Sequence, residues 1–500
     1  MLVPNPDERL ILLSGLLRYL EKSAERFPEK TAFADENESV TFSELQELGR
    51  SIGAAISERA QGLNLPVAVL TNHRVTDVAA FIGTLYAGCF YVPLDGGAPK
   101  EYLESRLKTI SPAVTIEAAT IAGLPRAEPN TSALAAIRGK ILSTDPAYAI
   151  FTSGSTGIPK AAAISHNSVV NLTEWMKETF NFTELTVFAG QCPFYFDSSV
   201  QEIYSTLKNG ATTHLFPRKL FLFPLKAMKY VQELGANTLP WSAAAVKMTA
   251  GSGVFEHFVP AGIEDVIFGG ENMPAKVLNI WKKAMPKARF TNVYGPSETT
   301  VDCAYYTVDR EFPDSGSIPI GRPCRNVELL LLDEGFKPAP DGETGEIYVR
   351  GAGVGLGYWR DPARTTEVFI QNPLNSLYRD IVYRTGDLAM RNEYGELVFL
   401  SRVDQQVKHM GSRVELGEVE TAAAGLDGVR LACCLYDKEK GRILLFYEGD
   451  AAEHDISVIL ADRLPRYMCP NVVIKTDHMP AMPNGKIDRM RVMEEYFSGL

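Results

Sequence analysis

Residues 146–166, PAYAIFTSGSTGIPKAAAISH, set hydroxyls, glycines and a lysine where a phosphate could be held. Thr152, Ser153, Gly154, Ser155, Thr156, Gly157 and Ile158 run directly into Pro159 and Lys160. Glycines let backbone N–H groups converge, hydroxyls add donors, and a lysine adds charge. The spacing is not that of a Walker A loop. G-x-x-x-x-G-K-[ST] does not fit, and the lysine follows a proline. Taken alone, the same residues also suit a flexible Ser/Gly turn. Apolar runs flank the loop, Ala147–Phe151 before it and Ala161–Ile164 after it. The first reads as a short buried strand.

The loop has company in order along the chain: VTFSEL (40–45), LYAGCFYVPLD (85–95), FDSS (196–199), NVYGPSE (292–298), GEIYVRGAGVGLGYW (345–359), YRTGDL (383–388), SRVDQQVKHMGSRVELGEVE (401–420) and NGKIDR (484–489). With TSGSTGIPK these resemble the motifs of the adenylate-forming enzymes: acyl-CoA synthetases, luciferases and peptide-synthetase adenylation domains. The chain is most similar to the amino-acid-activating branch, including stand-alone D-alanine–carrier protein ligases. Two small residues depart from the pattern, Ala161 after Lys160 and Ser401 before Arg402, where glycine is usual.

The resemblance implies a reaction. ATP and a carboxylate would give an acyl adenylate and pyrophosphate, which needs cations, backbone donors and Mg²⁺. It also implies roles. Thr152–Lys160 would hold the β- and γ-phosphates, and Glu298 would bind Mg²⁺. Tyr294 would stack on adenine, with Asn292, Gly270, Glu271, Gly295 and Ser297 around it. Asp387 would accept both ribose hydroxyls, with Arg402 nearby. Outside its motif, an Asp after Gly is simply a turn residue. Lys486 would lie over the reacting atoms, although a lysine in an Asn-Gly turn is more often solvated. Asp404 would be a hinge, and Gln405–Gly411 would line a thiol channel. Lys408 is a candidate contact there, or a solvated lysine on an edge strand.

Asp197, in FDSS, matches the aspartate that pairs with an α-ammonium, and Phe196 would wall the carboxylate. The side-chain pocket would comprise Ser198, Gln201, Ser242, Ile267, Gly269, Val293, Val301 and Asp302. Gly269 opens space, and Asp302 could meet a basic or hydroxyl-bearing side chain or point away. The expected activity is aminoacyl-AMP formation, then loading of a phosphopantetheinylated carrier protein. The last motif ends near residue 489, so the carrier is expected to act in trans. A D-alanine–carrier protein ligase, an acyl- or aryl-CoA synthetase and a degenerate adenylate-binding scaffold are the alternatives. D-alanine ligases typically carry a cysteine at the position of Gly269 and an apolar residue at that of Asp302.

Several elements must position these residues. A helix is expected over 10–27, then a short hairpin at 32–33 and 40–42, then a helix through SELQELGRSIGAAI capped by Ser43. Strand 66–70, helix 76–87 and strand 90–92 form a β–α–β unit, which implies parallel sheet with covering helices. That rhythm continues to about residue 320, with strands near 146–151, 211–215, 237–239 and 264–268 and helices near 198–208, 223–234 and 274–284. VELLLLD, GEIYVRG, YRTGDLAM and GELVFL then read as short strands of a small β-barrel or sheet. From about 403 a compact α+β unit begins. The expected fold is α/β: doubly wound subdomains and the small barrel in residues 1–402, and a mobile α+β lid in 403–500.

Composition sets outer bounds. A 500-residue chain exceeds what one compact domain usually holds. A net charge of −11 and a pI near 5.4 argue against nucleic acid as a partner. The seven cysteines form no C-x-x-C pair, so reduced buried thiols are expected rather than disulfides or zinc. LILLSGLLRYL (10–20) is bounded by Asp7, Glu8, Arg18 and Glu21 and reads as an amphipathic helix, not a signal sequence. No run is long enough to span a bilayer, and a cytoplasmic location is expected.

Overall fold

The computed structural model describes residues 15–117, 131–152, 159–403, 406–480, 487 and 489–498. The chain divides into two compact units. The first is made of Met1–Gly96, Ile110–Ile150 and Ala161–Val403. The second is made of Gly97–Thr109, Phe151–Lys160 and Asp404–Leu500.

The first unit is built on two large, mainly parallel sheets. One has six strands in the order Gly357–Tyr358, Lys160–Ser165, Pro146–Thr152, Phe90–Asp95, Pro66–Thr71, Val114–Glu117. The other has nine, in the order Arg322–Pro323, Ala304–Thr307, Arg289–Tyr294, Asp265–Gly269, Thr238–Ser242, Val187–Gly190, Thr212–Leu215, Thr31–Ala34, Ser39–Thr41. Their central strands are short apolar runs, as strands covered on both faces must be. The Val75–Tyr86 helix is buried along nearly its whole length, and Gly88 turns the chain back at φ +68°. Phe81 then stacks on Tyr91 at 4.4 Å, and Tyr91 on Tyr148 at 5.7 Å. A third, antiparallel sheet runs Val327–Leu332, Gly345–Gly351, Ile381–Arg391, Phe369–Gln371, with Leu397–Arg402 also paired to Ile381–Arg391.

Two local expectations change. The Phe42–Ala60 helix is capped by Thr41, not Ser43. Thr41 Oγ1 accepts from Glu44 N at 3.2 Å, and the Glu44 carboxylate accepts from Thr41 N at 2.9 Å. This reciprocal box satisfies two helix-start N–H groups, which a serine one residue inside the helix cannot do. The second change is a set of additional helices, Lys100–Ile110, Thr131–Arg138, His166–Phe180 and Ala243–Gly251, the third capped by the Ser165 hydroxyl.

In the second unit, Val429–Asp437, Arg442–Gly449 and Val472–Lys475 form a three-stranded sheet, with helices Leu416–Ala424, Glu453–Arg463 and Arg489–Ser498. Arg489 joins helix to helix by pairing with Glu420 at 2.5 Å. Arg106 lies over the Tyr102 ring at 3.3 Å and pairs with the buried Glu418. Lys408 sits on the hairpin of Gln406–His409 and Ser412–Glu415, its carbonyl accepting from the Tyr436 hydroxyl at 3.0 Å. All seven cysteines are free thiols. Among the described residues no helix is long and apolar enough to cross a membrane.

Candidate active site

In open parallel sheets the carboxyl ends of the strands face the ligand crevice. Three residues of the expected side-chain pocket occupy such ends. Ser242, Gly269 and Val293 pair side by side across adjacent strands of the nine-stranded sheet. Ser242 also caps the next helix, its hydroxyl accepting from Ala245 N at 3.3 Å, while its own N–H donates to Gln191 Oε1 at 3.1 Å. A Cβ on Gly269 would lie 2.5 Å from the Val293 carbonyl oxygen. Strand packing therefore demands this glycine, whatever space it also leaves. Ile267, Val293 and Val301 are buried in one apolar cluster with Tyr148 and Val200.

The FDSS turn leads into the Ser199–Asn209 helix. Val200 N donates to the Asp197 carbonyl at 2.9 Å, and Ser199 Oγ to the Phe196 carbonyl at 2.8 Å. Ser198 stands at the N-cap, and the Phe196 ring tilts against Tyr195 at 4.8 Å. Gln201, in the first turn, donates from Nε2 to Asp302 Oδ2 at 2.6 Å. Burial first, and then the nearby Asp197 charge, hold the Asp302 carboxyl well above the usual range. Asp197 likewise helps raise Tyr148 and Cys192, after burial in each case. The expected ammonium partner and the expected side-chain acid thus share one electrostatic neighbourhood.

Asp302 ends a tightly folded loop. A Cβ on Gly295 would lie 2.2 Å from the Val301 carbonyl oxygen, so the chain crosses itself there only because glycine is bare. Thr300 and Val301 both take left-handed backbone angles, φ +63° and +68°. Such angles in β-branched residues cost roughly 1–3 kcal/mol each and persist only where surroundings enforce them. The enforcing contacts come from the GAGVG segment. Thr300 Oγ1 donates to the Gly353 carbonyl at 2.6 Å, and Gly355 N to the Glu298 carbonyl at 2.8 Å.

Glu298, in the Ser297–Thr299 turn of that loop, has 0% of its surface exposed and accepts from the Tyr358 hydroxyl at 2.8 Å. Among the described residues no group of three or more His, Cys, Asp or Glu could hold a metal on its own. Mg²⁺ usually binds through one or two carboxylates, with substrate phosphates and water completing its shell. A single fixed carboxylate such as Glu298 fits that pattern.

Asp387 has both oxygens engaged. Tyr294 Oη donates to Oδ2 at 2.5 Å, and the Arg402 guanidinium pairs with Oδ1. Arg402 also donates to the Thr385 carbonyl at 3.0 Å. The Thr385 hydroxyl accepts from Asp387 N at 2.9 Å and donates to the Ile347 carbonyl at 2.7 Å, fixing the turn. Burial, then the Asp387 charge, push Tyr294 well above its ordinary range. Asn292 spends its amide on the Pro319 carbonyl at 2.8 Å, and Glu271 pairs with Lys247. Gly270 adopts φ +90°, which suits glycine.

Of the expected phosphate loop, Thr152 ends one strand and Lys160 begins the next. Ser153, Gly154, Ser155, Thr156 and Gly157 lie outside the described residues, as do Asp404, Gln405 and Lys486. Sequence reading missed the roles of Tyr358, Lys247 and Thr385. It also missed Glu202, which is 1% exposed, has both carboxylate oxygens unpartnered and is held well above the usual carboxylate range by burial. Its Oε1 lies 2.5 Å from where a Gly190 Cβ would stand, so it is sealed against the sheet rather than presented to a ligand.

Residues 20–359 match the family model of the AMP-binding enzymes. The chain is 30% identical to bacitracin synthase 1 of Bacillus licheniformis over 95% of its own length, but spans only 9% of that protein. It is 28% identical to zwittermicin A synthase ZmaJ of Bacillus cereus, covering 94% of this chain and 93% of that one. The fold matches that of holo-PA1221, described as a nonribosomal-peptide-synthetase protein containing adenylation and PCP domains. The TM-score is 0.82 at 23% identity, over 97% of this chain and 86% of that one.

Proposed function

Since the chain belongs to the family of AMP-binding enzymes, ligases that activate an acid with ATP, we propose that its acid is an amino acid. The aminoacyl-AMP would then pass to the phosphopantetheine thiol of a separate carrier protein. The observation that carries the amino-acid reading is Asp197. Its backbone carbonyl is bound by the FDSS turn at the start of a buried helix, and its charge lies close enough to Asp302, Tyr148 and Cys192 to help raise all three. Asp197 is partly buried, and an α-ammonium is a cation that a carboxylate in such a setting can bind. Fatty and aryl acids have none to offer.

A substrate carboxylate oxygen attacks the α-phosphorus, forming the mixed anhydride as the bond to the pyrophosphate oxygen breaks. Bringing two anions together is the main obstacle, and positioned charge removes it. Lys486 and Lys160 are the cations assigned to that task. When bound, Mg²⁺ neutralises the triphosphate oxygens, and Glu298 would hold it. Tyr294 and Asp387 would take the adenosine, with Arg402 and Thr385 fixing the Asp387 carboxylate. Residues 403–500 would move as a lid about Asp404, and the thiol would then displace AMP.

Amino-acid-dependent ATP–pyrophosphate exchange across the common amino acids, both enantiomers, is the test. Exchange with at least one amino acid is expected. Exchange only with fatty or aryl acids would overturn the reading.

A further inference from the structure

We propose that the activated amino acid carries a second cation, an ammonium or guanidinium on its side chain, held by Asp302 and Gln201. The proposal rests on the amino-acid reading above and specifies the substrate within it.

The argument begins with the pair itself. Gln201 and Asp302 come from positions far apart in sequence, are 5% and 6% exposed, and meet at 2.6 Å. One of the two Gln201 amide hydrogens goes to Asp302 Oδ2. Two acceptors remain, Asp302 Oδ1 and Gln201 Oε1. Neither receives a hydrogen bond from a described residue, and neither is among the fully sealed, unsatisfied atoms. The pair therefore offers two acceptor oxygens against one spare amide hydrogen. Donor-rich groups complement such a site best, and among amino-acid side chains ammonium and guanidinium are donor-only.

Charge points the same way. Among the described residues, the charge acting on Asp302 is that of Asp197, of like sign. A buried carboxylate beside a second one must be neutralised, by a proton or by a cation. If Asp197 takes the α-ammonium, a second cation is what would let Asp302 give up its proton and carry charge. A diamino acid supplies both. The other polar pocket side chain of known use, Ser242, is already occupied in capping its helix. Asp302 is presented by a backbone that pays conformationally to be there, since Thr300 and Val301 both sit at positive φ. Glu202, the third acid nearby, is sealed at Gly190 and has no comparable opening.

Exchange assays with the wild-type chain test this without a variant. The panel is 2,4-diaminobutyrate, ornithine, lysine and arginine against norleucine, glutamine, citrulline and glutamate. A kcat/KM at least about thirtyfold higher for one cationic member than for its neutral counterpart is expected, the size of losing one partner of a buried charge pair. Asp302→Asn should abolish most of that preference, read as the ratio of kcat/KM between the cationic member and its neutral counterpart in the same variant. A preference for glutamine or another neutral member would overturn the proposal, because a protonated Asp302 would then be donating to the substrate. Exchange with amino acids would survive in that case, so the amino-acid reading would stand. No exchange with any amino acid would remove both.

Discussion

Tyr294→Phe separates two roles that converge on one residue. The ring is the expected adenine platform, and the hydroxyl donates to Asp387 at 2.5 Å. A hydrogen bond to a charged group contributes about 1.5–3 kcal/mol. Asp387 keeps Arg402 and its own backbone anchor to Thr385, so the carboxylate is not orphaned by the change. The loss of stability should therefore stay within about 1.5–3 kcal/mol. Nucleotide binding should respond differently. A carboxylate has about four lone-pair sites, and removing the phenol frees one for a ribose hydroxyl. The ring that would stack is retained. Expected is a KM for ATP equal to the wild type or lower, alongside a reduced urea midpoint. The four tryptophans, Trp175, Trp241, Trp281 and Trp359, all lie in the first unit, so their fluorescence reports that unit's unfolding. A tenfold rise in KM for ATP with an unchanged midpoint would refute the reasoning, since the hydroxyl would then be serving the nucleotide and not the fold.

Glu298→Gln keeps an acceptor for the Tyr358 hydroxyl and removes the charge. Exchange should fall roughly 10²–10³-fold with a raised Mg²⁺ requirement and little change in melting, and an unaltered Mg²⁺ titration would count against the assignment. Lys486→Ala should cut adenylate formation by orders of magnitude while thiol transfer from supplied aminoacyl-AMP survives; equal loss of both steps would contradict separate roles for the lid in the two reactions. His166 is buried, with Nδ1 unpartnered, and burial lowers it to about 4. The unfolded chain then binds more protons between about pH 6.5 and 4, so stability is lost as pH falls through that window, by about 3 kcal/mol in total. His166→Gln should flatten that part of the pH–stability curve of the first unit, and an unchanged slope would show that His166 does not cause it.

The parallel sheets were legible where a strand is a bounded apolar run, whereas Val187–Gly190 and the mixed Arg289–Tyr294 went unread. Pro66–Thr71 and Asp265–Gly269 fall within a residue or two of where the pattern puts them. The pocket residues Ser242, Gly269 and Val293 came instead from the family resemblance, and the fold sets them on strand ends. What the sequence hid is long-range pairing. Gln201 meets Asp302 across 101 positions, Tyr294 meets Asp387 across 93, and Tyr358 meets Glu298 across 60. No local pattern encodes such contacts, because they arise only when separate elements pack. Positive φ at Thr300 and Val301 was unreadable for the opposite reason. β-Branched residues argue locally against that conformation, and only the surrounding loop imposes it. Thr41-x-x-Glu44 spells the capping box, and Ser43 within it offers a second cap-like hydroxyl.

The amino-acid assignment stands or falls on Asp197. The decisive measurement is kcat/KM in ATP–pyrophosphate exchange for Asp197→Ala and wild type, each with the preferred amino acid and with its des-amino analogue. Losing the partner of a buried ammonium typically costs about 2–5 kcal/mol, so the variant should lose at least about thirtyfold on the amino acid. It should gain on the des-amino acid relative to the amino acid, with ATP affinity unchanged. Undiminished exchange of the amino acid by Asp197→Ala would contradict the claim that this carboxylate selects a zwitterionic substrate.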